Sequence, residues 1–120
     1  MTRRPEEYLS DILESVSAIR TYTRSGRHEF FRNAMVRDAV IARILQIGEA
    51  VKGAQASGID WEKLAPEVPW QDIAGMRDVL SHQYWRTDPQ IVWDVVAKDL
   101  KALQASVSRI HSGRAKAPRK

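Results

Sequence analysis

Val36-Arg37-Asp38-Ala39-Val40-Ile41-Ala42-Arg43-Ile44-Leu45-Gln46-Ile47-Gly48-Glu49-Ala50-Val51 places apolar residues at 36, 40, 44, 47 and 51. Steps of three and four put them on one line of an α-helix. Phe30, Ala34, Ile41 and Leu45 widen that line into a face. The segment from about His28 to Lys52 is therefore expected as one long helix buried on two sides, by the core and by a partner. Upstream, Ser25-Gly26-Arg27 breaks the pattern. Before it lies a first helix opened by Pro5, with Glu6 and Glu7 facing the N-terminal dipole and Tyr8, Ile12, Val16 and Ile19 as its stripe.

Downstream, Gly53 to Gly58, Pro66 and Pro69 mark a loop with one short helical turn around Asp60 to Leu64. Trp70 opens a third helix with Ile73, Met76 and Leu80 inward and Val79 at the edge, ending between His82 and Trp85. Asp88 then reads as an N-cap before Pro89, and Val92, Val96, Asp99/Leu100, Leu103, Val107 and Ile110 carry a fourth helix. No β-alternation or internal repeat interrupts this pattern. The expected fold is all-α, an antiparallel bundle of four main helices plus a short helical turn. Residues 1–110 form the domain, and 111–120 are expected as a flexible basic tail.

A chain of 120 residues with 43% apolar content suits one domain with an ordinary core. It has no cysteine, which excludes disulfides and thiolate metal sites and fits a reducing cytoplasm. No apolar signal core follows Met1, and no apolar run approaches the roughly 20 residues of a membrane-spanning helix. The net charge is +4, yet Arg114, Lys116, Arg119 and Lys120 in the tail supply all of it. With Arg3 and Arg4 also set aside, residues 5–110 carry −2. The sequence pI of 9.7 is thus weak evidence for nucleic-acid binding, although a basic tail adds salt-sensitive attraction to phosphates.

Phosphate-binding glycine loops, His-Glu-x-x-His zinc helices and Gly-x-Ser-x-Gly elbows are all absent. No cofactor is implied. Three histidines are present, and His28 at a helix start and His111 at the head of the tail read as solvated. His82 has chemical company: Arg77 five residues before it and Asp78 one turn before it. An imidazole can take the proton of a ribose 2′-hydroxyl or give one to a leaving 5′-oxygen, while a guanidinium holds phosphorane charge. Together they meet the minimum for metal-free RNA cleavage. Five residues of regular helix separate two side chains by roughly 140° and about 7.5 Å, however. The pair therefore needs a distorted helix end, an arginine reaching round, or a second copy of the chain.

Ile73-Ala74-Gly75-Met76-Arg77-Asp78-Val79-Leu80-Ser81-His82-Gln83-Tyr84, followed by Asp88 and Ile91-Val92-Trp93, resembles the signature of the HepT-like toxins, a branch of the HEPN superfamily of helical ribonuclease domains. Their motif is Arg-x4-His-x-Tyr. Arg37-Asp38-Ala39-Val40 and Ile47-Gly48-Glu49-Ala50 resemble the family's second-helix pattern, and Val68-Pro69-Trp70 its entry to the third helix. The likeness spans residues 8 to about 104. It implies that Arg77 and His82 are the catalytic pair of an endoribonuclease without a metal. It also implies that Tyr84 is the residue a partner antitoxin, a minimal nucleotidyltransferase, modifies with AMP. Homodimers whose motifs face a shared cleft are implied as well.

Supporting roles are read at Asp78, Arg37, Asp38 and Glu49, where acids either orient Arg77 or tie the bundle together. Arg86 is a candidate phosphate contact, and Trp70, Trp85 and Trp93 read as core or interface residues before base-stacking ones. The expected function is that of a cytoplasmic ribonuclease toxin of a toxin–antitoxin module, acting on RNA and neutralised at Tyr84. The alternative is a non-catalytic helical module that partners a nucleotidyltransferase.

Overall fold

The structure, a computed structural model, describes residues 3–83 and 86–116. Among these every regular element is helical: α1 (Pro5–Tyr22), α2 (Gly26–Arg32), α3 (Ala34–Ala56), α4 (Trp61–Leu64), α5 (Trp70–Gln83), α6 (Pro89–Asp94) and α7 (Leu100–Lys116). The all-α expectation holds. One turn of π-helix, Val95–Asp99, joins α6 to α7 with helical backbone on both sides.

Helix α1 begins at Pro5 with Glu6 and Glu7 in its first turn. Its buried stripe is Leu9, Ile12, Val16 and Ile19, wedged against α3 and α7. Tyr8 lies at the edge of that stripe, its ring over Gly53, where a Cβ would sit 2.3 Å from the ring's Cε1. The chain then turns through Gly26 at φ +89°, a conformation that disfavours side chains.

The long second helix of the sequence reading is two helices. Asn33 leaves the helical region (φ −112°, ψ 105°), and its Oδ1 accepts from the backbone N–H of Met35 (3.0 Å) and Val36 (3.4 Å). Arg37 donates from Nη1 to the carbonyls of Phe30 (3.2 Å) and Phe31 (2.6 Å), satisfying the exposed end of α2. A capping side chain on one side and a guanidinium on the other make the break stable, though the apolar spacing runs straight through it. At its far end α3 continues past Lys52 to Ala56.

Asp60 caps α4 through the Lys63 N–H (3.2 Å). Trp61 and Trp70 stack at 4.3 Å and donate to the Val51 and Ala65 carbonyls, which ties the α4 region to the end of α3. Asp88 caps α6 ahead of Pro89 as the sequence indicates, accepting from Gln90 N at 2.9 Å. Helix α7 runs through Lys116, six residues into the stretch expected as a tail. Arg114 Nε donates to Glu6 Oε1 at 2.9 Å, and His111 meets Ser10 at 3.1 Å, so this part of the chain lies on α1.

Candidate functional site

Helix α5 packs on α3, and Gly48 sets how closely. A Cβ built at Gly48 would lie 2.4 Å from Arg77 Cβ and 2.6 Å from its Cγ. The missing side chain lets the stem of Arg77 lie directly on the α3 backbone. From there the guanidinium reaches along α3, with Nη2 donating to Glu49 Oε1 and Nη1 to Asp78 Oδ1 (2.9 Å). Lys52, one turn beyond Glu49 on α3, donates to the same Asp78 oxygen at 3.3 Å. The result is an alternating row, Glu49–Arg77–Asp78–Lys52.

Bonds to Asp78 and Glu49 push the Arg77 pKa up and keep it cationic. The Asp78 carboxyl is lowered by Arg77 first and Lys52 second. Arg77 is the most enclosed member, 28% exposed against 59% for Glu49. Glu49 and Lys52 also border an open groove of about 730 Å³ between α1 and α3, whose other walls include Arg3, Tyr8, Asp11 and Arg43.

His82 lies on the same helix, exposed to solvent. Because α5 is regular from Trp70 to Gln83, the five-residue spacing applies in full and His82 leaves the helix on a different face from Arg77. Ser81 Oγ donates to the Arg77 carbonyl at 2.8 Å, a bond within the helix. Val79, 52% exposed, is apolar surface between the two positions in sequence.

Of the other residues singled out from sequence, Glu49 and Asp78 gather at Arg77. Arg37 and Asp38 do not; Arg37 serves the end of α2, and both line a separate cavity of about 370 Å³ with Phe30, Ile41, Thr87, Pro89 and Val92. Trp70 is core, and Trp93 packs against Phe30 with ring centroids 5.1 Å apart. Tyr84 and Trp85 lie outside the described residues. Lys52 and the packing role of Gly48 were missed by the sequence reading. Lys52 carries no signal beyond one-turn spacing from Glu49, whereas a glycine inside a long helix marks close approach. Among the described residues no three His, Asp or Glu side chains gather as a metal site, and no helix is long and apolar enough to cross a membrane.

Comparison with known proteins adds to this geometry. A Thermococcus cleftensis protein named "Probable ribonuclease HepT" is 34% identical over 111 residues, covering 92% of this chain and 98% of that one. A Methanocaldococcus jannaschii protein named "Gamma-glutamylcyclotransferase and putative RNase" is 36% identical over 104 residues, 86% of this chain. This chain spans 46% of that relative's length. No solved structure matches significantly. The family described as ribonuclease HepT-like matches residues 12–110, a stretch that contains α3, α5 and the whole Arg77 row. The chain belongs to the ribonuclease HepT-like family.

Proposed function

We propose that the chain is a metal-independent endoribonuclease, the toxin of a toxin–antitoxin pair, with Arg77 and His82 as its catalytic residues. The observation that carries this reading is the Arg77 setting: a cation packed on Gly48, oriented by Glu49 and Asp78, on the helix that also bears an exposed His82. In this reading Arg77 binds a non-bridging phosphate oxygen and His82 moves the proton between the 2′-hydroxyl and the leaving 5′-oxygen. The products carry a 2′,3′-cyclic phosphate or 3′-phosphate and a 5′-hydroxyl.

The regular geometry of α5 and the turning of Arg77 towards α3 support the reading in which a second copy brings the pair together. The four main helices then form an antiparallel bundle, two bundles form a homodimer, and the outward face of α5 borders a shared cleft. Tyr84, two residues after His82, is the proposed site at which a nucleotidyltransferase adds AMP, bringing negative charge and bulk into the cleft.

The test compares purified wild type, Arg77→Ala and His82→Ala on RNA in EDTA. Wild type cleaves, both variants lose at least about 100-fold, and end-group analysis finds 5′-hydroxyl termini. Absence of cleavage by unmodified wild type would falsify the enzyme reading and leave the non-catalytic module. That second reading is favoured by one observation, the engagement of Arg77 by two carboxylates. Intact mass after incubation with the candidate nucleotidyltransferase and ATP tests Tyr84: wild type gains AMP and Tyr84→Phe does not.

A further inference from the structure

The slight negative charge of residues 5–110 conceals an uneven distribution. Residues 20–38 hold Arg20, Arg24, Arg27, Arg32 and Arg37 against Glu29 and Asp38, a local +3, so the remainder of that span carries −5. Two of these arginines are already engaged. Arg32 pairs with Glu29 at 2.6 Å, and Arg37 serves the Phe30 and Phe31 carbonyls.

Arg20, Arg24 and Arg27 are exposed. The side chains of Arg20 and Arg24 make no hydrogen bond or ion pair with the described residues. Arg27 is held in place without a carboxylate: its guanidinium lies 4.5 Å over the Phe31 ring and Nη2 donates to Gln90 Oε1 at 2.8 Å. Tyr22, between Arg20 and Arg24 in sequence, is among the large exposed apolar residues. Helix α2 packs on α6, and the cavity lined by Phe30, Arg37, Thr87 and Pro89 joins it to the segment that follows α5. Arg86, in that segment, is also exposed.

We propose that Arg20, Arg24 and Arg27, gathered where α1 turns into α2, form a track for the backbone of single-stranded RNA; this rests on the ribonuclease reading. Guanidiniums without a carboxylate partner suit phosphates, and Tyr22, an exposed aromatic at the end of the same helix, is a ring on which a base can stack without sequence preference. An acidic protein is the other occupant such a surface could take, and the test separates the two.

The test uses fluorescence anisotropy of a labelled single-stranded RNA dodecamer, with His82→Ala in every protein so that nothing is cut. Adding Arg20→Gln and Arg24→Gln weakens binding about tenfold and flattens the dependence of log Kd on log salt by about 1.4, roughly 0.7 for each phosphate no longer neutralised. The control pair Lys98→Gln and Lys101→Gln, which removes equal charge elsewhere, changes binding less than about twofold. Unchanged affinity in the arginine variant, or an equal loss in the control, overturns the track. So does retained RNA binding in a variant that no longer binds poly-glutamate, which assigns the surface to an acidic protein. With His82 intact, the arginine variant cleaves a dinucleotide as wild type does, because so short a substrate does not reach the track. Failure of wild type to cleave any RNA removes the ribonuclease reading, while the anisotropy result still decides the track.

Discussion

A methyl group at position 48 would collide with the stem of Arg77, 2.4 Å from its Cβ. That atom is fixed to the α5 backbone, so the helices themselves would have to part. Gly48→Ala is expected to destabilise the fold by about 1–3 kcal/mol and to lower RNA cleavage at least about tenfold by moving Arg77. Gly75→Ala is its control. Nothing lies within 4 Å of a Cβ there, and the helix gains about 0.5–1 kcal/mol. Urea denaturation of both variants checks the pair, and equal effects would refute the packing argument.

Glu49 pairs with Arg77, and in the proposed mechanism it serves as a positioning residue. The exposed pair is screened by water and adds little stability, so Glu49→Ala should leave the melting temperature near wild type. It should lower kcat more than it raises KM, and Glu49→Gln, which still accepts a hydrogen bond, should restore part of kcat.

Two elements depart from the regular pattern, the first through an identifiable side chain. At the α2–α3 break, Asn33→Ala removes the acceptor for two N–H groups and should cost about 1 kcal/mol, measured by chemical denaturation. At the π turn, Asp99 stands on the line that sequence spacing gives to the apolar stripe. It faces a small pocket with Ile44, Ile73, Met76 and Val95, across from Asp72. Burial first, and the Asp72 charge second, raise its carboxyl above the usual range. A raised acid favours the folded state while protonated, so its contribution is fully present below the ordinary aspartate range and is lost as pH rises through the raised value. Asp99→Asn should therefore raise the melting temperature at pH 7 and leave it nearly unchanged at about pH 3.

The whole molecule must answer how residues on different faces of α5 share a substrate. If the cleft takes Arg77 from one protomer and His82 from the other, mixing Arg77→Ala with His82→Ala creates one intact pair per heterodimer. After refolding together, the two inactive proteins should then recover about a quarter of wild-type activity. A site complete within one chain recovers none, which would end the shared-cleft proposal.

The sequence by itself determined that the chain is helical, where most helices begin, and which stretch belongs to the family. These are local properties, set by spacing, by Pro5 and Pro89, and by caps such as Asp60 and Asp88. It missed the break at Asn33, because the apolar period continues through it and the Arg37 bonds that support it span two helices. The Arg-x4-His spacing was readable, and Glu49 and Asp78 were both candidates. Only the tertiary structure decided that these two gather at Arg77 while Arg37 and Asp38 do not, because that depends on how closely α5 lies on α3. The close approach follows from Gly48, a residue whose contribution is an absent side chain and which acquires meaning only when another helix fills the space.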